Sequence, residues 1–293
     1  MKHYILYNPL SGKGHGAQEA ELLQLLYPGE TCENYDMTAI ENYAALFSDV
    51  TPEDSIIICG GDGTLNRFIN DTADISLPCD VLYHAIGSGN DFLRDVGQTT
   101  ESAPFSIKQY LEDLPTVEVK GKTYRFLNNV GFGIDGYCCE VGDEQKKRST
   151  KPVNYTAIAI KGLLFHFKPT GATVTVDGVT HRYEKVWLAP TMKGRFYGGG
   201  MMPTPVQDRN TTDRSLSLMV LHGSGKLKTL VVFPSIFKGE HVKHNEMVAI
   251  HRGHDICVRF DRPTALQIDG ETILNVSEYR ATTKVTAPLK ATV

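Results

Sequence analysis

Ser55-Ile-Ile-Ile-Cys-Gly-Gly-Asp-Gly-Thr-Leu-Asn66 is an apolar, β-branched run that passes directly into glycines, an aspartate and a threonine. Such a run reads as a strand buried on both faces, and the glycines that follow it open a helix. Without Cβ atoms, backbone N–H groups can approach an anion closely, and the amino end of the helix adds a favourable dipole for phosphate. Asp62 is out of place among phosphate-binding amides. Its carboxylate would repel a bare phosphate, so it fits best if it meets a metal ion, an acceptor hydroxyl or both. The alternative is a tight turn whose aspartate caps the helix.

Two further joins repeat this design on either side. Val81-Leu-Tyr-His-Ala-Ile-Gly-Ser-Gly-Asn-Asp-Phe92 supplies Gly87, Ser88, Gly89, Asn90 and Asp91, and Tyr7-Asn8-Pro9-Leu10-Ser11-Gly12-Lys13-Gly14-His15-Gly16 makes the third. Each is weak alone, but parallel strands end on one sheet edge, so three such loops can converge on one crevice and favour a nucleotide phosphate site. No G-x-x-x-x-G-K-[ST], G-x-S-x-G or H-E-x-x-H string is present, and the first loop does not give G-x-G-x-x-G. Around the joins the rhythm is βα: a strand at His3–Asn8, a helix near Ala17–Tyr27 with Leu22, Leu23, Leu25 and Leu26 on a broad apolar face, and a stop at Pro28-Gly29. Thr38-Ala39-Ile40-Glu41 predicts a capping box for the next helix. Ser55–Cys59 and Val81–Ile86 predict two more buried strands.

Beyond about Val117 the pattern changes to strand pairs, with Lys120-Gly121-Lys122, Val176-Asp177-Gly178-Val179 and Ile268-Asp269-Gly270-Glu271 as tight turns. Two helical stretches interrupt it, Pro152–Phe167 and Leu227–Lys238, the second ended or kinked by Pro234. The expected division is therefore an α/β domain over 1–122 and a β-rich domain over 123–293, whose last strand can return to the first domain. The length of 293 residues suits two domains, and 41% hydrophobic and 22% charged residues are ordinary globular values. A net charge of −4 excludes nucleic acid binding by the overall field. The apolar runs are broken well short of the roughly 20 residues a membrane span needs. With no signal-like amino end and no C-x-x-C pair among six cysteines, the reading is a cytoplasmic protein without a zinc site or disulfide framework.

The strings NPLSGKG at Asn8–Gly14, GGDGTLN at Gly60–Asn66 and GSGNDF at Gly87–Phe92 resemble the diacylglycerol kinase catalytic domain family, which includes bacterial lipid kinases and the sphingosine and ceramide kinases. NNVGFGIDG at Asn128–Gly136, TPVQDRNTTDRSLSL at Thr204–Leu218 and IDGE at Ile268–Glu271 extend the resemblance over essentially the whole chain. It implies an amino-terminal α/β domain like that of phosphofructokinase and NAD kinase, a β-sandwich-like second domain, and an active site in the cleft between them. It implies ATP held by Asn8, Ser11, Gly12, Thr38, Gly61, Asp62, Gly63, Thr64, Leu65, Asn66, Ser88 and Asn90. Asp62 would join a magnesium network near the γ-phosphate. Asp213, with the carbonyls of Asn210 and Ser215, would hold a magnesium ion. Glu271 would accept the proton of the lipid hydroxyl, with Asp62 the other candidate for that role, and Asp135 would meet the acceptor head group.

The implied reaction is ATP- and magnesium-dependent phosphorylation of a lipid hydroxyl, with diacylglycerol giving phosphatidic acid as the first expectation. Such chemistry asks for positioning and charge neutralisation more than for a strong base. The partner is a lipid reached by transient contact at a membrane surface, and the resemblance is compatible with a homodimer. Two residues depart from the family pattern: Arg67 follows GGDGTLN where Glu is usual, and Arg214 follows Asp213 where Gly is usual. Those departures motivate a catalytically silent nucleotide- or lipid-binding module as one competing reading. Transfer to a sphingoid base or ceramide, or NAD-kinase-like transfer to a soluble acceptor, are the others. Lys146-Lys147-Arg148 with Lys151 reads as a solvated basic face or a phosphate contact, and His241-x-x-His244 as surface rather than metal ligand. Pro152–Phe167 reads as half core and half lid over an apolar acceptor pocket.

Overall fold

The computed structural model describes residues 1–87, 89–148 and 153–284, without the side chain of Thr156. Ser88, Lys151, Pro152 and the final nine residues of the chain lie outside the described residues. The chain forms two compact units, Met1–Leu114 and Pro115–Val293.

In the first unit, β1 (Lys2–Tyr7), β2 (Thr31–Asp36), β3 (Ser55–Gly60) and β4 (Asp80–Ala85) form a parallel sheet in the order β2-β1-β3-β4. The two-residue strand β5 (Phe105–Ser106) closes the β4 edge antiparallel. The connecting helices are α1 (Gly16–Leu23), α2 (Tyr43–Leu46), α3 (Asp62–Asp71), α4 (Asp91–Asp95) and α5 (Lys108–Leu111). Every residue of β3 is buried, as its unbroken β-branched run requires of a central parallel strand. The chain runs outward from β1 to β2 and then back across β1 to β3, so the switch of direction falls between β1 and β3. Their carboxyl ends are level, Tyr7 standing opposite Cys59. A crevice beyond the strand ends at such a switch is the usual ligand position in open α/β sheets.

Several expectations change here. The α1 helix contacts the sheet through a narrow stripe of Gly16, Ala20 and Leu23. The chain then tightens into a 3₁₀ turn at Gln24–Leu26, which leaves Leu22, Leu25 and Leu26 exposed instead of on one apolar face. Thr38 does not open a helix: its N–H and hydroxyl both donate to Asp36 Oδ1, at 2.8 and 2.6 Å. The next helix is capped by Asn42, whose Oδ1 accepts from Ala45 N at 3.0 Å.

The second unit is antiparallel. The strands β6 (Thr116–Val119), β7 (Lys122–Arg125), β8 (Asn129–Gly133), β9 (Thr170–Val176) and β10 (Val179–Val186) come first. Then follow β11 (Leu188–Met192), β12 (Leu216–Leu221), β13 (Val248–Gly253), β14 (Asp255–Ile268) and β15 (Glu271–Thr282). They run in the order β13-β12-β11-β8-β14-β15-β6-β7, with β9 also on β14 and β10 on β9. The long strand β14 serves both parts: Ile256–Phe260 pairs with β9, and Leu266–Ile268 with β8, across a register shift. Phe132, Phe260 and Tyr279 meet in the core that results, at ring centroid distances of 4.7 and 5.2 Å.

All three Gly-containing turns join neighbouring strands as expected. The β6–β7 hairpin pairs with β15, so the units divide ahead of that hairpin, at Leu114/Pro115, and not after residue 122. The last described strand stays within the second unit's sheet. Three helices flank the sheet: α6 (Ile134–Arg148), which the periodicity does not reveal, α7 (Tyr155–Lys161) and α8 (Lys226–Val232). Pro234 sits in the first turn of the 3₁₀ segment Phe233–Lys238 that ends α8. Among the described residues, no helix is long and apolar enough to cross a membrane.

Candidate active site

The three glycine loops of the first unit come together at the sheet edge. Asn8 shapes the first: its carbonyl accepts from Ser11 N at 3.0 Å and its Oδ1 from Leu10 N at 3.0 Å. Gly12 turns with φ +59° against Ile86. Gly16 starts α1 so close to this loop that a Cβ would lie 2.0 Å from Asn8 O. The loops after β3 and β4 touch through their backbones. A Cβ on Gly87 would stand 2.6 Å from Gly61 Cα, and one on Gly60 would overlap the Thr64 side chain at 2.3 Å. Ser11 Oγ and Thr64 Oγ1 lie 3.2 Å apart, tying the first loop to α3. Asn90, in the left-handed region at φ 48°, donates from Nδ2 to Gly87 O at 2.6 Å. Its Oδ1 is buried and takes no hydrogen bond among the described residues.

Asp62 has a different job from capping its own helix. Its Oδ2 accepts from Asp91 N and its Oδ1 from Phe92 N, both at 2.9 Å, so the carboxylate of the β3 loop caps α4 and locks two loops together. Asn8, Ser11, Gly12, Gly61, Asp62, Thr64 and Asn90 are thus brought together, and Gly63 is exposed at the mouth of α3. Leu65 is wholly buried, so its side chain belongs to the core and only its backbone is left for a ligand. Asn66 is also buried, and its carbonyl accepts from Asn70 Nδ2 at 2.9 Å. Thr38 lies beyond β2, bonded to Asp36. Ser88 is outside the described residues. Arg67 points back along α3, its Nε 3.2 Å from Asp71 Oδ2.

This cradle fits a nucleotide phosphate chain. Side chains are missing where the loops approach most closely, and the amino end of a ten-residue helix opens there.

In the second unit, β8 delivers Asp135 to the start of α6. Asp135 is buried; its Oδ1 accepts from Gly136 N at 2.8 Å and its Oδ2 from Gln267 Nε2 at 3.2 Å. Burial pushes its carboxyl up to about 6 against the pull of those donors. Tyr197 lies beside it, fully buried, its hydroxyl without a hydrogen bond of good geometry and its ionisation pushed far up by burial. Gln267 continues the chain of contacts, since its Oε1 accepts from Gly270 N at 3.0 Å in the turn that carries Glu271. Glu271 itself is exposed and makes no side-chain hydrogen bond among the described residues. Its neighbour Thr272 donates to Asp143 Oδ2 at 2.8 Å, which holds the start of β15 against α6.

Asp269, two residues before Glu271, carries weight that its place in an Asp-Gly turn does not reveal. Its carboxylate accepts from the N–H groups of Leu127, Asn128 and Asn129 at 2.6, 2.7 and 2.9 Å. The aspartate of IDGE therefore fixes the entry to β8, and with it Asp135. An Asp-Gly turn signal alone could not separate this clamp from an ordinary hairpin.

The loop at Asp213 is closed by a cation the chain supplies. Asp213 Oδ1 accepts from Thr211 Oγ1, Ser215 N and Ser215 Oγ at 2.8, 3.1 and 3.0 Å. The Arg252 guanidinium lies 3.1 and 3.2 Å from its two oxygens. The Ser215 amide, these hydroxyls and Arg252 hold the carboxyl well below the ordinary range. Arg252 also donates to Ser215 Oγ and, at 2.9 Å, to Thr211 Oγ1. His254 Nε2 meets Asp213 O at 2.7 Å, and the Ser215 carbonyl accepts from Gln207 Nε2 at 3.1 Å. A magnesium ion needs a near-octahedral shell of oxygens around a bare positive charge. Here the carboxylate is paired with a guanidinium and the Ser215 carbonyl already takes one hydrogen bond, so a magnesium ion at Asn210, Asp213 and Ser215 would have to displace Arg252 from Asp213.

Lys146 and Arg148 lie at the end of α6 in ion pairs with Asp143 and Glu144. His241 is buried, not on the surface, its Nε2 2.9 Å from Pro203 O. A groove of about 950 Å³ in the second unit, lined by Glu118, Lys120, Asp255, Asn275 and Arg280, contains none of the motif residues.

Residues 2–119 match the diacylglycerol kinase catalytic domain, and residues 128–285 the YegS C-terminal NAD kinase beta sandwich-like domain. A diacylglycerol kinase of Mycobacterium tuberculosis is 25% identical over 253 residues, 83% of this chain and 80% of that protein. A diacylglycerol kinase of Bacillus subtilis is 24% identical over 277 residues, 91% of this chain and 88% of that protein. A crystal structure of a diacylglycerol kinase from Bacillus anthracis aligns with a TM-score of 0.60 at 18% identity, covering 98% of this chain and 97% of that one, a likeness of fold. With both domain matches in sequence order and the glycine-loop cradle in the first of them, the chain belongs to the family of lipid kinases defined by the diacylglycerol kinase catalytic domain.

Proposed function

We propose that the protein transfers the γ-phosphoryl group of magnesium-bound ATP to the hydroxyl of a lipid, with diacylglycerol as acceptor and phosphatidic acid and ADP as products. The observation that carries this reading is the cradle of the first unit, in which the Gly61–Gly87 backbone contact and the Asp62 clamp hold three loops at one sheet edge. MgATP enters as a substrate, and no step is assigned to a metal at Asp213. The backbone amides at the amino end of α3 take negative charge on the phosphates, and the Ser11 and Thr64 hydroxyls orient them. The acceptor oxygen attacks the γ-phosphorus, the bond to the β–γ bridging oxygen breaks, and the hydroxyl proton passes to a carboxylate.

Glu271 is the favoured proton acceptor. Both oxygens of Asp62 already accept backbone N–H bonds, which ties it to positioning the loops, whereas Glu271 stands exposed at the end of a fixed turn. Asp135 faces the acceptor head group in this reading, with an elevated carboxyl that can donate to or accept from a hydroxyl near pH 6.

The test is transfer of labelled γ-phosphate from MgATP to mixed micelles of diacylglycerol, ceramide, sphingosine or polyprenol, and to soluble NAD and sugar phosphates. Phosphatidic acid formation, lost in Asp62→Asn and Glu271→Gln, is the expected result. Exclusive transfer to a soluble acceptor would overturn the lipid acceptor. ATP binding without transfer to any acceptor would favour a nucleotide-binding module instead.

A further inference from the structure

Gln267 lies on β14 with 1% of its surface exposed, opposite Gly131 of β8 on one side and Thr272 of β15 on the other. A buried amide is costly unless both of its ends are bonded, and here both ends reach parts of the site. Gly270 N can only donate, so the atom it meets at 3.0 Å is the amide oxygen. Nε2 is thereby left facing Asp135 Oδ2 at 3.2 Å, with the carboxyl as acceptor. One backbone N–H fixes the direction of both bonds. Gly131 makes the reach possible, because a Cβ there would stand 3.0 Å from Asp135 Oδ2 and 2.9 Å from Pro190 Cα.

The turn at the other end is tight, with Asp269 at φ 48° and Gly270 at φ 93°. Asp269 accepts from the amides at the entry to β8, Thr272 donates to Asp143 on α6, and Gly270 donates to Gln267. Of these ties, only the last runs through a single side chain to a carboxyl that the proposed reaction uses. An amide has a donor end and an acceptor end, so it passes on a change of sign. When the group at position 135 becomes a donor, the amide of Gln267 turns over to accept from it, Nε2 then faces Gly270 N, and that N–H loses its acceptor.

We propose that Gln267 is a positioning residue that couples Asp135 to the turn carrying Glu271. It holds the carboxyl at the acceptor head group and the carboxylate that takes the proton in register only while Asp135 remains a hydrogen-bond acceptor. The roles of Asp135 and Glu271 rest on the lipid kinase reading. The coupling itself stands on the two bonds and the buried amide between them. A core amide with a packing role alone would fill the same space without passing a change at position 135 on to the turn.

The experiment is a double-mutant cycle on the full chain, with Asp135→Asn, Gln267→Glu and the two together. Gln267→Leu and Gln267→Met serve as two apolar variants of similar volume. In Asp135→Asn two amides meet, and in Gln267→Glu two carboxyls meet. In the double variant the new amide at 135 donates to the new carboxylate at 267, which still accepts from Gly270 N. The first readout is amide hydrogen exchange over residues 268–272, without ATP or lipid. Exchange there should quicken roughly 10-fold in Asp135→Asn and in the apolar variants and return to the wild-type rate in the double variant. The second readout is transfer from MgATP to diacylglycerol. The apolar variants should lose roughly 10- to 100-fold in kcat with KM for MgATP unchanged. The double variant should regain kcat relative to Asp135→Asn while keeping its raised KM for diacylglycerol. Wild-type exchange in both apolar variants would overturn the proposal, as would quickened exchange in Asp135→Asn that Gln267→Glu does not reverse. So would exchange that follows the cycle in an active enzyme whose kcat does not move. Exchange that follows the cycle in a protein that phosphorylates nothing would uphold the coupling and overturn the kinase reading, so the two fail separately.

Discussion

At Asp62 a single carboxylate decides how two loops sit. The backbone N–H groups of Asp91 and Phe92 both point at it, so the residue builds the cradle as much as it serves in it. In Asp62→Asn one oxygen is replaced by an N–H₂ facing a backbone donor. The expected result is a stability loss of about 1–3 kcal/mol in urea unfolding and a fall in kcat of roughly 100-fold or more. Loss of turnover with stability and ATP affinity intact would show that the clamp matters less than the charge. Arg252 gives a second prediction at this scale. Because its guanidinium occupies Asp213, a chelator should leave the melting temperature of the nucleotide-free wild type unchanged. In Arg252→Ala the exposed pair costs about 1 kcal/mol and the freed carboxylate becomes open to a divalent ion, so the variant, unlike the wild type, should regain melting temperature with added magnesium. A wild-type protein whose melting temperature falls on chelation would contradict this account. The sequence showed Asp213 and Arg214 side by side, but nothing in the string reveals that Arg252, on β13, reaches back across the loop.

Legibility changes at the scale of elements with the kind of signal each element carries. The buried strand β3 and the three glycine turns between antiparallel strands are readable because a β-branched run and an Asp-Gly or Lys-Gly pair act locally. The helix α6 is not readable: Ile134–Arg148 has no sustained apolar stripe, and glycines at 136 and 142 argue against a helix. Those glycines are there because the helix lies unusually close to its neighbours. A Cβ at Gly136 would stand 2.2 Å from Ala265 O on β14, and one at Gly142 would stand 2.6 Å from the Tyr155 ring. Close backbone approach replaces the stripe, and only tertiary structure shows it. Gly136→Ala should therefore destabilise by about 3 kcal/mol, since β14 backbone cannot yield, despite alanine's better helix propensity. Gly142→Ala, facing the end of a side chain on α7, should cost roughly 1 kcal/mol. Urea midpoints at constant m-value would measure both, and a stabilised Gly136→Ala would mean that α6 can lift off the sheet freely.

For the whole molecule, the parallel sheet followed by an antiparallel β unit was legible because each unit's period is written along its own segment. The Asp269 clamp and the Gln267 link were not, because they join residues about 130 to 140 positions apart. Those long links keep Asp135 buried, and that burial sets a pH dependence of global stability. Its carboxyl rises from an ordinary 3.8 to about 6 in the folded state, so the fold favours the protonated form. The contribution is fully present below about pH 4 and is lost as pH rises through about 6, in the direction opposite to a salt-bridged carboxylate. Above pH 7 the ionised Asp135 then costs on the order of 3 kcal/mol relative to an unperturbed carboxyl. Asn at this position keeps the acceptor for Gly136 N and removes the charge, although its N–H₂ then faces the Gln267 amide and gives back part of the gain. Asp135→Asn is expected to unfold about 1–2 kcal/mol harder than wild type at pH 8, with the difference shrinking towards pH 4. Urea unfolding at both pH values measures it. A variant equally destabilised at both would mean that Asp135 is held by its hydrogen bonds and not strained by its burial. Wild-type transfer to diacylglycerol by the stabilised variant would remove Asp135 from the acceptor head group.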